Sequence, residues 1–269
     1  MRIISLTSIP PRFMGLESTL QSLLRQGADE VRLYIPCKYQ RFPDWDGALP
    51  NVPDGVTIYR SDKDYGPATK ILPACRDLRG SDAQILFCDD DCICDEGWAE
   101  RLFRIQSRRK NQAIAVYVRP VEGYVLNKVR AGRMKRAWQL PIKYDVAYRF
   151  SQLLFKLLGT KPFRRRPFVI PGYGEVFFGA SGVVVRPEFF DDLAYDIPAE
   201  AWAVDDVWLS GNLARLNIRI YCPWMVALPD SSDMAVQDAL LDAEFLGKKR
   251  QELNRAAAQI CQQKFGVWI

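Results

Sequence analysis

The stretch ILFCDDD, Ile85–Asp91, is an apolar run that ends abruptly in three consecutive carboxylates. A short apolar run of this kind is typical of a buried strand. In open α/β sheets, the ligand crevice lies beyond the carboxyl ends of the strands. Neighbouring acids repel one another unless a cation or a hydrogen-bonding ligand shares their site. The stretch therefore predicts a site at which a Mg²⁺ or Mn²⁺ ion bridges the protein and substrate phosphates. The alternative is that these acids form a solvated acidic turn.

Strand and helix patterns alternate on both sides of this stretch. Short apolar runs predict strands at Arg2–Leu6, Val31–Ile35, Val56–Tyr59, Ile85–Cys88, Ala113–Val118 and Ile218–Cys222. Helical spacing and boundary residues predict helices before Gly27, over Pro67–Leu78 and Trp98–Ser107, from Asp205 to Leu216, and over about 236–264. This alternation predicts an α/β fold with a mostly parallel central sheet and helices on its faces.

A basic insert interrupts the pattern over about residues 120–175. The chain of 269 residues carries a net charge of +5, yet Arg119–Arg166 holds 13 Lys or Arg against two acids. Within it, Tyr144–Leu158 has apolar residues at helical spacing and basic residues among them. Such a segment can lie on an anionic membrane surface, or its apolar stripe can pack on the core as a lid. We expect one domain, residues 1–269, that includes this insert.

The absence of histidine limits the chemistry of the chain. It excludes Ser-His-Asp and Cys-His catalysis and histidine metal ligands, so acid–base work falls to carboxylates, Lys, Tyr or Cys. The seven cysteines show no paired zinc-ligand spacing, and we expect them to be buried apolar residues in a reducing compartment. No run approaches the length of a spanning helix. We expect a cytoplasmic protein.

Three further segments carry candidate functional residues. Thr7–Arg12 follows the first strand and reaches the same sheet edge as the acids. In the loop Asp64–Lys70, a glycine and a proline open a helix, where Lys70 could meet an anion. Asp205 and Asp206 open another helix, where they either cap it or supply a general base. Each segment also fits an ordinary structural role, so their order along one α/β chain is the stronger evidence.

In that order, the segments resemble a glycosyltransferase of the GT-A type, similar to the family 2-like sugar-nucleotide transferases of bacterial polysaccharide synthesis. The resemblance covers about residues 3–222. It is carried by Leu6–Phe13, Asp64–Lys70, the Asp89–Asp91 motif after its strand, the small-residue segment Phe178–Gly182, and Asp205–Leu209. It implies a GT-A, Rossmann-like fold.

The resemblance also implies a role for each matching residue on the donor side. Asp89 and Asp91 match the D-x-D motif, in which the last acid binds Mn²⁺ or Mg²⁺ and the first helps to hold the nucleotide ribose. The resemblance places the nucleotide-sugar contacts at Thr7, Arg12, Asp64, Lys70, Asp89, Asp90, Gly179 and Gly182. Many such enzymes add a late histidine to the metal, and this chain has none. Asp230, Asp233 or water could fill that position.

On the acceptor side, the resemblance implies that Asp206 is the catalytic base of an inverting enzyme, with Asp205 as the near alternative. The implied reaction moves a sugar, in the simplest case from a UDP-sugar, to a glycan or a lipid-linked glycan. A nucleotidyltransferase acting on sugar phosphates is an alternative, although Thr7–Phe13 lacks the glycines of its phosphate loop. A phosphatase is disfavoured by the residues that follow Asp91. A non-catalytic glycan- or nucleotide-binding protein would use Trp98, Trp202 and Trp208 as exposed stacking platforms.

The basic insert adds a predicted partner of its own. An anionic membrane surface could bind residues 128–166, which would make the protein peripheral at the inner face of the cell membrane. Nucleic acid is not expected, because no recognised binding module accompanies the charge.

Overall fold

The computed structural model describes residues 1–125, 135–159, 163–232, 245 and 247–269. Its α-helices are α1 Glu17–Leu24, α2 Leu72–Asp77, α3 Trp98–Arg108, α4 Val146–Leu158, α5 Asp205–Arg215 and α6 Arg250–Phe265. Its strands are β1 Arg2–Thr7, β2 Glu30–Pro36, β3 Val56–Ser61, β4 Gln84–Phe87, β5 Cys92–Ile93, β6 Gln112–Ala115, β7 Val118–Arg119, β8 Trp138–Gln139, β9 Phe168–Ile170, β10 Gly172–Gly174, β11 Val176–Phe177, β12 Val183–Val185, β13 Arg219–Cys222 and β14 Asp230–Ser231.

An eight-stranded sheet organises the chain, in the order β10-β13-β6-β12-β4-β1-β2-β3. The pairs β1–β2, β1–β4, β2–β3 and β6–β13 are parallel, whereas β12 and β10 run antiparallel to their neighbours. Helices cover both faces. This is the α/β class with a mostly parallel central sheet that the sequence predicted.

The two faces of the sheet bury separate layers of apolar side chains. Along β1, Ile3 faces the layer that contains α2, α5 and α6, whereas Ile4 and Leu6 face the layer that contains α1 and α3. Side chains alternate between the faces because successive residues of a strand point to opposite sides. Burial on both faces explains why the central strands are apolar runs rather than alternating patterns.

The predicted helix over Pro67–Leu78 is wrong in one respect, because the structure divides it. A 3-10 turn, Gly66–Lys70, is followed by α2, and the break falls at Ile71, whose φ is −135°. The backbone carbonyl of Lys70 accepts a hydrogen bond from Ser5 Oγ of β1 at 2.6 Å. A contact with the sheet therefore overrides the helical pattern, and it turns the Lys70 side chain toward the sheet edge.

Two other predicted elements differ in extent. The strand predicted over Ala113–Val118 is two strands, β6 and β7, which belong to different sheets. Of the long helix predicted over about 236–264, the structure shows α6, while 236–244 and 246 lie outside the described residues. Asp233 lies outside them as well.

The basic insert is partly helical, as predicted. It contains α4 and the two-stranded sheet β8–β9. The side chain of Asp145 caps the start of α4 by accepting from the Tyr148 N–H at 3.1 Å, and Gly159 ends the helix in the left-handed conformation. None of the helix's residues is buried, so caps and local contacts hold it rather than a core.

Candidate functional site

The candidate site is a cavity of about 600 Å³ at the edge where β1 and β4 end. Ser5 pairs with Phe87 in adjacent parallel strands, so the chain leaves both strands at the same edge and the segments that follow them become neighbours. The cavity is lined by nine residues that the sequence singled out: Thr7, Arg12, Asp64, Lys70, Asp89, Asp90, Asp91, Asp205 and Asp206.

Asp90, the middle acid of the motif, is held by groups that follow β1. Its carboxylate accepts hydrogen bonds from Ser8 Oγ and from Arg12 Nη1, the latter at 2.6 Å. Asp90 is buried, and burial raises its pKa even though Arg12 favours the anion. A buried carboxylate with these partners fastens the turn after β4 to the turn after β1.

Lys70 lies between the two acidic segments of the cavity. Its Nζ is 2.7 Å from Asp89 Oδ1 and 3.3 Å from Asp205 Oδ2. Burial alone would lower the pKa of Lys70, but the surrounding carboxylates, Asp205 foremost, hold it well above its usual value. Burial would also raise the pKa of Asp89, and the Lys70 ammonium lowers it instead. The ammonium is therefore charged and joins the strand-end motif to the start of α5.

Asp206 occupies the first turn of α5 with a different partner. Its Oδ1 accepts a hydrogen bond from the backbone N–H of Gly179 at 3.0 Å. Burial and the nearby charge of Asp205 raise the pKa of Asp206 to about 7, against the opposing effect of Lys70. A carboxyl group with this pKa exchanges a proton readily at neutral pH, which is what a general base requires.

Asp91 completes the strand-end motif and lines the cavity, and within the described part of the chain it forms no ion pair like that of Asp89 with Lys70. Burial and the charges of Asp89 and Asp90 raise the pKa of Asp91 to about 6. Among the described residues, no group of three or more His, Cys, Asp or Glu side chains could hold a metal ion. Mg²⁺ is commonly bound by one or two carboxylates together with substrate phosphates. Asp89 and Asp91 fit that smaller requirement.

Asp64 and Thr7, two further predicted nucleotide contacts, also have partners within the protein. Asp64 accepts hydrogen bonds from the backbone N–H groups of Gln40 and Gly66, both at 2.8 Å. Thr7 Oγ1 donates to the carbonyl of Tyr34 at 2.7 Å. Both side chains line the cavity while they hold its loops, and their contact with a nucleotide stays a prediction.

The small-residue segment before β12 packs beneath this cluster. A Cβ on Gly179 would lie 2.8 Å from Asp206 Oδ1 and 3.1 Å from Lys70 Nζ, so a side chain there would displace the charged groups. Gly182 has a φ of +96°, and a Cβ there would lie 2.4 Å from the Trp98 ring. The surroundings of Gly182 explain the glycine by packing, and its predicted role in donor binding stays a prediction.

Several cavity residues were missed by the sequence. Arg250, at the start of α6, lines the cavity from a distant part of the chain, and no local pattern indicated it. Tyr39, Arg41 and Phe42 lie beyond the end of β2 and form a more apolar wall. Their position could have been inferred from the rule that ligand sites lie beyond strand ends.

The predicted exposure of three tryptophans is wrong. Trp98, Trp202 and Trp208 are all buried. The indole of Trp208 donates to the carbonyl of Ala194 at 2.8 Å inside the layer below the sheet. Trp202 lines the cavity but stacks on Phe245. These rings pack the core and are not open platforms for a glycan.

The predicted burial of the cysteines is confirmed except at one position. All seven cysteines are free, and six are buried, but Cys37 is exposed. Cys37 follows β2 directly, where the chain leaves the sheet and solvent reaches the side chain.

Comparison with known proteins gives limited similarity. No protein-family model and no curated protein matches the chain. Among solved structures, it superposes on S. aureus TarS with a TM-score of 0.38 and 12% identity, over 87% of this chain and 36% of that chain. It superposes on a TarS structure of residues 1–349 with a TM-score of 0.41 and 11% identity, over 98% and 72% of the two chains. The chain thus spans about a third of the longer TarS chain, and its function has to be inferred from its own residues.

Proposed function

We propose that the protein is a glycosyltransferase that moves a sugar from a nucleotide-diphosphate donor to a hydroxyl group of a glycan, with inversion at the anomeric carbon. One observation carries the proposal. A buried carboxylate with a pKa of about 7, Asp206, faces the same cavity as the strand-end acids Asp89 and Asp91. These are the two functions that glycosyl transfer needs, a base for the acceptor and a site for the leaving diphosphate.

The acceptor step is assigned to Asp206. The acceptor hydroxyl oxygen forms a bond to the anomeric carbon while its proton passes to the Asp206 carboxylate. The bond from the anomeric carbon to the diphosphate oxygen breaks, and its electron pair leaves with the diphosphate. Asp205 is the poorer candidate, because its Oδ2 lies 3.3 Å from the Lys70 ammonium and is already engaged in an ion pair.

The donor step is assigned to the strand-end acids of the cavity. Asp91 and Asp89 would hold Mn²⁺ or Mg²⁺, which when bound supplies positive charge to the leaving diphosphate. Lys70 and Arg250 bring further positive charge from the protein. Stabilising charge that develops on the leaving group is a large term in enzymatic catalysis.

The nucleoside is assigned to the apolar wall beyond β2. Tyr39 packs edge-on against Phe42 with ring centroids 6.0 Å apart, and the Arg41 guanidinium lies 5.2 Å from the Phe42 ring centroid. Aromatic and arginine planes are suitable surfaces for a nucleobase. A cavity of about 600 Å³ is within the range of small-ligand sites. A uridine donor is the first choice to test.

The decisive variant is Asp206→Asn. It keeps the shape and the hydrogen-bond acceptor for Gly179 but removes the base, so we expect turnover to fall by about 10³-fold while donor binding persists. Turnover is measured as nucleotide released from UDP-, GDP-, CMP- and dTDP-sugars with Mn²⁺, and binding as the thermal shift with each donor. The exposed Asp54→Asn is the matched control and should leave both measurements unchanged.

The metal assignment needs a separate variant. Asp91→Asn should weaken Mn²⁺-dependent donor binding by about tenfold and leave metal-free binding nearly unchanged. Full turnover in Asp206→Asn would contradict the assigned base. Donor binding that is the same with Mn²⁺, with EDTA and in Asp91→Asn would contradict the metal site while leaving the base in place. Failure of every nucleotide sugar to bind the wild type would contradict the proposed function.

A further inference from the structure

Helix α4 presents its apolar face to solvent. Val146, Phe150, Leu153 and Leu157 are spaced by four, three and four residues, so they form one stripe along the helix. All four are exposed, Val146 by 74% and Leu157 by 70%. The half-buried residues of the helix are instead Tyr148, Ser151, Gln152 and Leu154, of which only Leu154 is wholly apolar.

The contacts of the half-buried residues of the helix show that this orientation is set by specific interactions. The ring of Tyr148 packs edge-on against Phe163 with centroids 6.0 Å apart. Asp145, which caps the helix, also pairs with Arg165 at 3.6 Å. The helix is therefore attached to the protein through its more polar side. An amphipathic helix of a globular protein ordinarily does the reverse.

The exposed apolar surface extends beyond the helix. On α4, Phe155 and Leu158 are exposed as well, and the other exposed large apolar side chains of the insert are Trp138, Ile142, Tyr144, Phe163 and Ile170. Single exposed apolar residues are ordinary, but a contiguous set marks an interaction surface. Trp and Tyr are also the residues enriched where a bilayer meets water.

Basic residues border the same surface. Arg149 and Lys156 lie along one side of α4, between the apolar stripe and the side that carries Tyr148. Over the described residues of 135–166 there are eight Lys or Arg and one acid, Asp145. Five of these bases have no carboxylate partner among the described residues: Lys135, Lys143, Arg149, Lys156 and Arg166.

We propose that α4 docks in the plane of an anionic phospholipid bilayer, with the Val146–Leu157 stripe in the acyl boundary and its basic border at the headgroups. The surface combines the two terms that hold such helices, buried apolar area and attraction to anionic lipid. No helix in the described part of the chain is long and apolar enough to cross a membrane. A second copy of the chain is a poorer occupant, because a self-complementary contact would bring two basic surfaces together.

The docked surface is connected to the candidate site through Arg164. Arg164 Nε lies 2.9 Å from Asp230 Oδ2, and Asp230 lines the cavity. Arg164 directly follows Phe163, whose ring packs against Tyr148 of α4. A helix held at the membrane would therefore hold the cavity near the lipid surface, where a lipid-linked acceptor is presented.

Vesicle co-sedimentation of the full chain without donor tests the docking independently of turnover. We expect binding to phosphatidylcholine vesicles with roughly 30% phosphatidylglycerol to exceed binding to phosphatidylcholine alone by about tenfold. Phe150→Gln/Leu153→Gln and Arg149→Gln/Lys156→Gln should each reduce binding to the anionic vesicles by about tenfold. The matched controls, Leu49→Gln and Arg25→Gln/Arg108→Gln, change exposed residues elsewhere and should bind as wild type.

A fluorescence measurement locates the contact. Cys37 is the one exposed cysteine of the seven, so Cys37→Ser/Leu153→Cys can be labelled at α4 with an environment-sensitive dye, and wild type labelled at Cys37 is the control. Anionic vesicles should shift the emission of the α4 label to the blue and leave the Cys37 label unchanged. Equal vesicle binding by the α4 variants and wild type, an unshifted α4 label, or a dimer abolished by Phe150→Gln/Leu153→Gln would each overturn the proposal.

Discussion

The cavity and helix α4 depart from the usual distribution of side chains in opposite ways. In the cavity, charged groups such as Lys70 and Asp205 are buried. On α4, large apolar groups such as Phe150 and Leu153 are exposed. Buried polar groups and exposed apolar patches are the informative exceptions in a globular protein. The contrast is what the two proposals explain, since each assigns the exceptional side chains to a ligand or a surface outside the protein.

The two regions should therefore respond differently to substitution. A buried ion pair is destabilising when one partner is removed, because the other charge stays buried without compensation. An exposed apolar side chain loses little when it is replaced by a polar one, since it was already in contact with water. The predictions below test this difference from the largest expected effect to the smallest.

The largest effect is expected from Lys70→Met in the cavity. This change keeps most of the side-chain volume but leaves Asp89 and Asp205 without the ammonium that lies within 3.3 Å of both. We expect a loss of about 3 kcal/mol in the free energy of unfolding, at the lower end for a broken buried pair because Asp89 keeps part of its exposure. Urea denaturation at neutral pH measures the loss.

The pH dependence of this loss provides the check. Lys70 holds the pKa of Asp89 below its usual value, so that contribution to stability is present above the unfolded pKa and is lost as the pH falls through the folded one. The gap between Lys70→Met and wild type should accordingly shrink in acid. The exposed Lys110→Met is the matched control. A Lys70→Met protein as stable as the control would mean that these ion pairs do not hold the strand-end motif to the start of α5.

The sequence predicted much of the cavity because its residues follow the strands directly. The apolar runs ending near Thr7 and Asp89 identified two parallel strands, and the edge where they end followed from general α/β rules. Asp205 and Asp206 were identified in the same way, as acids that open a helix. What the sequence could not provide was pairing. The bonds from Ser8 and Arg12 to Asp90 depend on the adjacency of β1 and β4 in the sheet.

The sequence left the role of α4 open for a physical reason. Helical spacing of Val146, Phe150, Leu153 and Leu157 is the same whether the stripe packs on a core or faces solvent. The decision depends on Tyr148 and its contact with Phe163, which are not visible in the periodicity. Arg250 was missed for a related reason, since it reaches the cavity from the far end of the chain.

A smaller effect is expected from pH on the catalytic rate, through the ionisation of Asp206 in the cavity. The pKa of Asp206 is raised to about 7, and a general base must be ionised to accept a proton. We expect kcat/KM to fall by about tenfold for each pH unit below that pKa and to be level above it, because kcat/KM reports the ionisation of the free enzyme. A rate profile between about pH 5 and 9 measures the effect.

Two variants identify the group responsible for the profile. The residual kcat/KM of Asp206→Asn should no longer fall toward acidic pH in this way. Asp206→Glu should still show an acidic limb, the fall in kcat/KM at low pH, but at a displaced pH, because it keeps a carboxylate near Gly179. A limb that persists unchanged in Asp206→Asn would assign the titration to another cavity group and leave Asp206 without its proposed role.

The smallest effect is expected on α4, from Leu153→Gln. Gln and Leu have similar helix propensities. Leu153 is half exposed, and α4 has no buried residue. We expect the free energy of unfolding to change by less than about 0.5 kcal/mol. The same substitution at Leu102, a fully buried residue of α3, should cost at least about 3 kcal/mol, because it removes apolar burial and leaves an amide in the core. Urea denaturation of the two variants gives the comparison directly. If Leu153→Gln destabilised the protein as much as Leu102→Gln, the stripe would serve the protein's own packing, and no external surface would be needed to explain it.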